Sequence, residues 1–431
     1  MIEIFLALRN LFLRRKRYKL MAVAIVIGFT MISFIHSAAF GVMETVKIKA
    51  ARYFSGHISL TGYVWEKSLI EDPETLISTL KNMDLPLRTI VPRTIYYKSD
   101  ASLFFGGESI RQRRLVGIDF EAEKDELSGL SFIDGSLENM LINGENGILI
   151  SKPAADMLGA RVGDDITLFI TLSSGQYNTK TLYVEGIFNE TSLFGYVAYM
   201  RQADLNDLLL WEPYLATDIA IYAEDGENLE ALSRKISMLL ADDYRVLPTM
   251  LSKSELYEEL SMVDWTKGSV LAPLTLNAHL DQLNDILDAF LIVTWFVLIL
   301  FILIVMVGIL NTYRVLVYER TKEIGTLRAL GMSRMSVRLM FLYEALLLSI
   351  ISSLAGFSLS LILVEVIKII DISALPGAGL FTENGFLKPY LNLKMACVNM
   401  ALMAGSVVLA AFEPANKAAR IMPAEALRTG K

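Results

Sequence analysis

Four long apolar stretches interrupt an otherwise ordinary pattern of polar and apolar positions along the chain. The stretches contain no Asp, Glu, Lys or Arg and cover 20–43, 289–313, 345–364 and 395–412. A helix rises about 1.5 Å per residue and the hydrocarbon core of a bilayer is about 30 Å thick, so each stretch can span a membrane. The pattern therefore predicts an α-helical membrane protein with transmembrane helices at 20–43, 287–313, 339–368 and 394–412.

The first apolar stretch also has the features of a signal peptide, because Ser37, Ala38 and Ala39 could serve a peptidase. The apolar region of a signal peptide is usually about 7–15 residues long, however, and this stretch is longer. We therefore interpret it as a retained transmembrane helix.

The long segment between the first two spans, 44–286, is polar enough for a folded domain outside the membrane. Residues rich in β-branched and aromatic types predict strands at 57–60, 94–97, 147–150 and 181–187. Helical patterns occur at 152–158 and 229–240. We expect a large mixed α/β domain with helical stalks at both ends, followed later in the chain by a short outer loop at 369–393.

The stretch before the second span shows a heptad-like spacing of apolar residues. Its seam positions are Leu276, Leu280, Leu283, Leu287 and Phe290. Intervals of 4, 3, 4 and 3 residues are typical of an a/d seam, and Pro273 marks a place where a helix can begin. The spacing predicts one continuous helix over 276–313 that carries a stalk; the alternative is a linker with accidental leucines.

Charge is distributed unevenly along the chain. The segments 1–19, 314–338 and 413–431 together hold 16 basic and 5 acidic residues, a net charge of +11, whereas the rest carries −18 and the whole chain −7. Basic residues beside membrane spans favour the cytoplasmic side. We therefore expect both termini and the 314–338 loop in the cytoplasm and the 44–286 domain outside.

The N-terminal segment 1–19 has the pattern of an amphipathic helix over 2–13. One face carries Ile4, Phe5, Leu8, Leu11 and Phe12, and another carries Glu3, Asn10 and Arg14. Such a helix is expected to lie in the membrane interface, with the basic run 14–17 at the lipid headgroups.

The cytoplasmic loop 314–338 is charged but also contains an apolar set. That set consists of Ile324, Leu327, Leu330 and Met332. A fully solvated loop would not need these side chains, so the pattern indicates an amphipathic helix that docks on a partner. A helix that lies on the headgroups is the alternative.

Three motifs resemble the FtsX/MacB/LolC-LolE class of ABC transporter permeases. They are the loop motif ERTKEIGTLRALG at 319–331 with FLYEA at 341–345, the tail motif PANKAARIMPAEALR at 414–428, and the external GILISK at 147–152 with VGD at 162–164. The resemblance implies an FtsX-like permease domain over about 287–424 and a MacB-like periplasmic core domain before it.

The resemblance also implies partners. A dimer of such permeases, homomeric or heteromeric, carries cytosolic ABC ATPase subunits, which hold the ATP and Mg²⁺; the permease itself binds no cofactor. The 314–338 segment would be the coupling helix that contacts the ATPase. Its expected coupling residues are Glu319, Arg320, Lys322, Glu323, Ile324, Gly325, Leu327, Arg328 and Gly331. The tail motif residues are Pro414, Arg420, Pro423, Leu427 and Arg428.

The sequence offers little for catalysis. It contains no P-loop, and its three histidines (His36, His57 and His279) lack metal-ligand spacing. The single cysteine, Cys397, lies in an apolar run. We expect no enzyme activity, no metal and no nucleic-acid partner. Glu344, beside the third span, is an intramembrane acid for which we favour a structural hydrogen bond to a neighbouring helix or the tail; snorkelling to the headgroups is the alternative.

Three functions follow from the resemblance. The chain length, four spans and lack of an ATPase segment favour LolC/LolE-like release of lipoproteins from the bacterial inner membrane, with cargo and a periplasmic chaperone or adaptor as further partners. MacB-like export of small molecules or peptides is an alternative. FtsX-like transmembrane signalling to cell-wall hydrolases, without transport, is another.

Overall fold

The protein is described by a computed structural model. Its described residues are 2–13, 15–65, 67–96, 98, 100–112, 114–189, 196–372, 375, 378–383, 385–391 and 393–424. The chain divides into two compact units. The helical unit comprises Met1–Val42, Asp288–Asp371 and Phe386–Lys431, and the α/β unit comprises Met43–Leu287 and Ile372–Gly385.

Helices occur in both units. Those of the described residues are α1 (Ile2–Leu13), α2 (Arg15–Phe54), α3 (Pro73–Asn82), α4 (Lys124–Leu127), α5 (Leu137–Asn143), α6 (Lys152–Leu158), α7 (Gln202–Leu209), α8 (Leu229–Leu240), α9 (Lys253–Ser261), α10 (Leu276–His279), α11 (Asp281–Glu319), α12 (Thr321–Ala329), α13 (Arg334–Ile367) and α14 (Leu393–Ala419).

Strands occur in the α/β unit. Those of the described residues are β1 (Ile58–Val64), β2 (Lys67–Ser68), β3 (Leu87–Tyr96), β4 (Ser102–Phe105), β5 (Glu108–Arg111), β6 (Arg114–Ile118), β7 (Phe132–Gly135), β8 (Gly147–Ser151), β9 (Asp165–Thr171), β10 (Tyr177–Phe188), β11 (Val197–Arg201), β12 (Asp218–Ala223) and β13 (Val270–Thr275). The mixed α/β character expected from the sequence is confirmed, and each predicted strand and helix of this domain has a counterpart; Tyr97 lies outside the described residues.

Four helices of the described residues are long and apolar enough to cross a membrane, as the charge-free stretches predict. They are α2, α11, α13 and α14, and each extends beyond its predicted span. Close helix contact occurs where α2 meets α13: a Cβ on Gly356 would lie 2.9 Å from the carbonyl oxygen of Val26. The hydroxyl of Thr30 also donates to the carbonyl of Gly356 at 3.1 Å. The absent side chain therefore allows the two helices to pack backbone to backbone.

A single sheet in the order β13-β1-β12-β3-β6-β11-β8-β10-β9-β4-β5 forms the α/β unit. Neighbours along this path are antiparallel except for the β6/β11 and β8/β10 pairs, which are parallel. Strand β3 serves both halves of the sheet: its first part pairs with β12 up to Arg93, and Thr94–Tyr96 pair with β6. β3 thus joins the two halves of one continuous sheet.

A fully buried ion pair lies beside β3. The side chains of Arg93 and Glu123 are both 0% exposed, and Arg93 Nε lies 3.0 Å from Glu123 Oε1. The guanidinium also donates to the carbonyl of Arg52 at 2.8 Å and to the hydroxyl of Tyr222 at 2.7 Å. Burial opposes the charged form of Arg93, but Glu123 and Tyr222 outweigh burial, so the pKa of Arg93 is raised.

We expect the Arg93→Met variant of the full-length protein to lose about 3–5 kcal/mol of stability, because it leaves the Glu123 carboxylate buried and unpaired. A double variant, Arg93→Met with Glu123→Leu, should recover part of that loss. Thermal unfolding followed by tryptophan fluorescence measures both. Lys152→Met, which breaks an exposed pair with Asp156, is the control and should cost under about 1 kcal/mol. A loss for Arg93→Met as small as the control's would contradict the assignment.

The connection between α13 and α14 is more than the short loop that the sequence suggests. Its residues Ile372–Gly385 belong to the α/β unit. Lys49 Nζ donates to the carbonyl of Gly379 at 2.7 Å, and Arg52 forms an ion pair with Glu383 at 3.7 Å. The α/β unit is therefore completed by residues from near the end of the chain.

The predicted continuous helix over 276–313 is wrong at its start. Pro273 lies in strand β13, Thr275 caps the short α10, and a new helix begins at Asp281 after Leu280 leaves helical geometry. Leu276 and Leu280 pack into the core of the α/β unit instead of forming an exposed seam. The regular spacing is therefore distributed over α10, the break at Leu280 and α11, and it does not mark one seam: Leu276, Leu280 and Leu287 are buried, whereas Phe290 is 38% exposed.

Candidate functional site

The cytoplasmic loop predicted as one helix over 314–338 consists of three helical pieces. Helix α11 continues to Glu319, α12 occupies Thr321–Ala329, and α13 begins at Arg334. Arg320 interrupts the first junction with φ −97° and ψ 8°. Gly331 turns the second junction with φ +95°, a conformation that favours glycine. The two breaks make α12 a separate short helix.

One face of α12 is directed into the helical unit. Ile324 and Gly325 are buried, and Ile324 belongs to the same hydrophobic core as residues of α2, α11, α13 and α14. Leu327 and Met332 are partly buried against that core. The prediction that this apolar set docks on a partner is therefore wrong for Ile324, because the chain's own core already uses it.

Arg320 fixes the start of α12. Its side chain and that of Glu344 on α13 are both 0% exposed, and Nη1 of Arg320 lies 2.8 Å from Oε2 and 3.0 Å from Oε1 of Glu344. Nε donates to Glu323 at 3.1 Å, and the guanidinium lies 4.8 Å from the ring centroid of Phe341. Glu344 is thus buried and bonded within the protein rather than extended to the headgroups.

Arg328 fixes the end of α12 to α14. Its Nη1 donates to the carbonyl of Ala419 at 2.8 Å and to that of Ile421 at 3.3 Å. These carbonyls lie at or just beyond the C-terminus of α14, where cations are favoured by the helix dipole and by carbonyls that lack helical partners. The loop motif at 319–331 and the tail motif therefore meet at this hydrogen-bonded contact.

The tail motif lies mostly at that C-terminus. Pro414 is inside α14 and buried, Arg420 follows the last helical residue, and Pro423 comes soon afterwards. Leu427 and Arg428 lie outside the described residues. Glu413 forms an ion pair with Arg314 of α11 at 3.2 Å, which adds a second link between the tail helix and the segment before α12.

The opposite face of α12 and its flanks are open to solvent. Of the expected coupling residues, Glu319, Lys322 and Gly331 are exposed, and the neighbouring Leu330 is 81% exposed. Tyr318, 83% exposed, and Met335 extend this surface, although the sequence motif did not single them out. We call the exposed residues Tyr318, Glu319, Lys322, Thr326, Leu330, Gly331 and Met335 the α12 surface. An apolar and charged surface on a firmly anchored short helix is suited to contact another protein.

The remaining candidate residues are distributed over both units. Of the seam, Leu287 is buried and Phe290 is 38% exposed, and the side chain of Leu283 is outside the described set. His36 in α2 contacts Asn399 of α14 at 3.0 Å, whereas His57 and His279 belong to the α/β unit. Burial lowers the pKa of both of these latter histidines. No group of three or more His, Cys, Asp or Glu with metal-binding geometry occurs among the described residues.

The described residues thus form a unit with four helices long enough to span a membrane, an α/β unit inserted in the sequence between the first and second of these helices, and a short helix, α12, with an exposed surface. Residues 20–239 match the MacB-like periplasmic core domain, and residues 295–423 match the FtsX-like permease C-terminal domain. The first match covers more than half of the chain. The chain belongs to this family and is an inner-membrane ABC transporter permease of the LolC, MacB and FtsX type.

Similar proteins share this architecture. The lipoprotein-releasing system transmembrane protein LolC of Haemophilus influenzae is 22% identical over 388 residues, 86% of this chain and 87% of that protein. LolC of Xylella fastidiosa is 25% identical over 77% of this chain and 76% of its own length. The macrolide export ATP-binding/permease protein MacB of Neisseria gonorrhoeae is 34% identical, but over only 28% of this chain and 17% of its own length.

We expect Arg328→Ala to loosen α12, because the carbonyls of Ala419 and Ile421 lose their charged donor. Hydrogen–deuterium exchange of the full-length protein should then be roughly tenfold faster at 321–329, the effect of losing a bond to a charged donor. Arg328→Lys should retain part of the protection. Arg334→Ala, at an exposed arginine of α13, is the control; equal acceleration in that variant would contradict a specific role for Arg328.

Proposed function

We propose that this permease couples ATP hydrolysis by a separate cytosolic ABC ATPase to movement of its α/β unit, and that it releases lipoproteins from the inner membrane for delivery to the outer membrane. The observation that carries the first part is the α12 surface. It is exposed, while both ends of α12 are fixed to the rest of the helical unit by Arg320 and Arg328. Because both ends of α12 are anchored, a force applied to α12 is passed on to the helices to which it is bonded.

The route of transmission is supported by the two long helices. Helix α2 and helix α11 each contain residues of both units, so each is a continuous covalent and hydrogen-bonded link between them. The break at Leu280 lies within the α/β unit, so α11 itself begins at Asp281. We infer that these helices carry the change from the ATPase side to the α/β unit.

The orientation rests on charge. The segments that contain α12 and the two termini hold the excess of Lys and Arg, whereas the remainder of the chain is acidic. The positive-inside rule then places the α12 surface in the cytoplasm, where an ATPase operates, and the α/β unit in the periplasm. A second permease copy, identical or related, completes the transporter in this proposal.

Lipoprotein release is favoured over macrolide-type export by the extent of similarity. The two LolC proteins match along most of this chain, including the α/β unit, whereas the MacB protein matches over less than a third of it. The periplasmic partner would then be a chaperone or adaptor that receives the lipoprotein.

Replacing exposed residues of the α12 surface should detach the ATPase without unfolding the permease. We expect Leu330→Asp and Lys322→Glu each to weaken ATPase binding at least roughly tenfold, since each places an unmatched charge at the contact. Co-purification from detergent-solubilised membranes with the cognate ATPase measures the effect. Glu365→Lys, at an exposed position of α13 outside the α12 surface, is the control. Wild-type binding by both α12 variants would rule out this surface.

Proteoliposomes that contain the permease, its ATPase and a triacylated lipoprotein test the transport step. We expect ATP-dependent transfer of the lipoprotein to a soluble acceptor, and loss of that transfer in Leu330→Asp. Efflux of a macrolide in the same vesicles, without lipoprotein transfer, would replace the lipoprotein role with a MacB-like one. Binding of a cell-wall hydrolase with neither activity would indicate signalling without transport.

A further inference from the structure

The N-terminal helix α1 contacts the buried ion pair that holds α12. Its polar residue Asn10 is 6% exposed and donates through Nδ2 to Oε1 of Glu344 at 2.7 Å. The sequence pattern places Asn10 on the polar face of an interfacial helix together with Glu3 and Arg14, whereas the structure buries Asn10 against α13. The reason is that a buried acceptor on α13 offers the amide a stronger partner than water.

Four helices meet at the Glu344 carboxylate. Asn10 of α1 occupies Oε1, and the hydroxyl of Tyr18 on α2 donates to Oε2 at 2.8 Å. Arg320, at the start of α12, contacts both oxygens, and its Nη1 lies 3.3 Å from the Tyr18 hydroxyl. Glu344 itself belongs to α13. Each of these four side chains is nine-tenths or more buried.

The arrangement fixes the orientation of the carboxylate. A carboxylate can rotate about its last bond, and donors on both oxygens from two different helices restrict that rotation. Nη1 of Arg320 contacts both oxygens of Glu344, so the position of the guanidinium depends on the orientation of the carboxylate. Because Arg320 is the residue that precedes α12, the start of α12 is set by α1 and α2 through Glu344.

The apolar side of α1 supports the same placement. Ala7 and Leu11 are buried, and Leu11 belongs to the core that includes Ile324 of α12 and Met340 of α13. Ile4 and Phe5, in contrast, are exposed at 40% and 67%, as expected for side chains that face lipid. Helix α1 is therefore attached to α13 by its Asn10 and Leu11 side and directs its other apolar side outward.

We propose that Asn10 is a positioning residue of the coupling apparatus: through Glu344 and Arg320, helix α1 sets the orientation of α12 and moves together with it. This inference rests on the proposed function, since it assigns α1 to the machinery that receives the ATPase. It gives the amphipathic N-terminal helix a task inside the transporter in addition to its membrane contact. Asn10 acts through two other residues and lies away from the α12 surface.

The test uses Asn10→Leu in the full-length permease, reconstituted in nanodiscs. Leucine is close to asparagine in size but donates no hydrogen bond. We expect hydrogen–deuterium exchange at 321–329 to accelerate roughly tenfold, as for loss of a hydrogen bond to a charged group, while exchange in the α/β unit stays unchanged. Asn10→Gln keeps an amide donor and should restore part of the protection.

A matched control separates positioning from general loosening. Asn399 on α14 is also buried, and its amide group is bonded to His36 and Ser33. Asn399→Leu should leave exchange at 321–329 at the wild-type level. Equal acceleration in both variants, or none in Asn10→Leu, overturns the proposal. Should Asn10→Leu fail to insert, Tyr18→Phe removes one hydroxyl from the same carboxylate and is expected to show the same local acceleration.

A second measurement connects the change to the proposed function. With the cognate ATPase bound, Asn10→Leu should lower the permease-stimulated rate of ATP hydrolysis several-fold at an unchanged KM for ATP, and ATPase co-purification should stay at the wild-type level. Normal stimulation in Asn10→Leu would overturn the role of α1. Absence of stimulation by the wild-type permease would instead refute the proposed function. The exchange measurement on the permease alone would still decide whether Asn10 positions α12.

Discussion

A guanidinium that is removed from water has to be neutralised by a carboxylate, and its remaining donors have to find acceptors, or the folded state loses several kcal/mol. Arg320 meets the charge requirement with Glu344 and Glu323, and the helices that supply these two partners are thereby fixed around it. Helix α12 begins directly after Arg320, and Asn10 of the N-terminal helix α1 donates to the same Glu344 carboxylate. The α/β unit contains a second fully buried ion pair, between Arg93 and Glu123, beside the strand that joins its two halves.

The loop motif at 319–331 consequently has two different sides. Residues that a sequence comparison would group together, such as Lys322 and Ile324, face opposite directions and have different tasks. Ile324 and Arg328 attach α12 to the spans, and Lys322 and Leu330 remain available on the outside. The motif thus combines buried anchoring residues with an exposed surface, and the proposed coupling role rests on this combination.

Much of the architecture could be predicted because it depends on simple patterns. Charge-free stretches located the four spans, and local strand and helix propensities located β8, α6 and α8. What could not be predicted depends on partners distant in sequence. Asn10 donates to an acceptor 334 residues away in the sequence. Leu276 and Leu280 pack into the core of the α/β unit at the place where the predicted continuous helix is interrupted. No local pattern separates an exposed polar residue from one with a buried partner, or an a/d seam from a core contact.

The residues between α13 and α14 have a consequence for biosynthesis. The ribosome completes α2, the sheet, α11, α12 and α13 before it delivers Ile372–Gly385, yet Lys49 and Arg52 bond to this late segment. The bond between Lys49 and Gly379 joins residues 330 positions apart. The α/β unit therefore reaches its final set of contacts only after α13 and the residues that follow it have been synthesised. The domain encoded mainly in the first half of the chain thus depends, for its last contacts, on residues encoded in the second half.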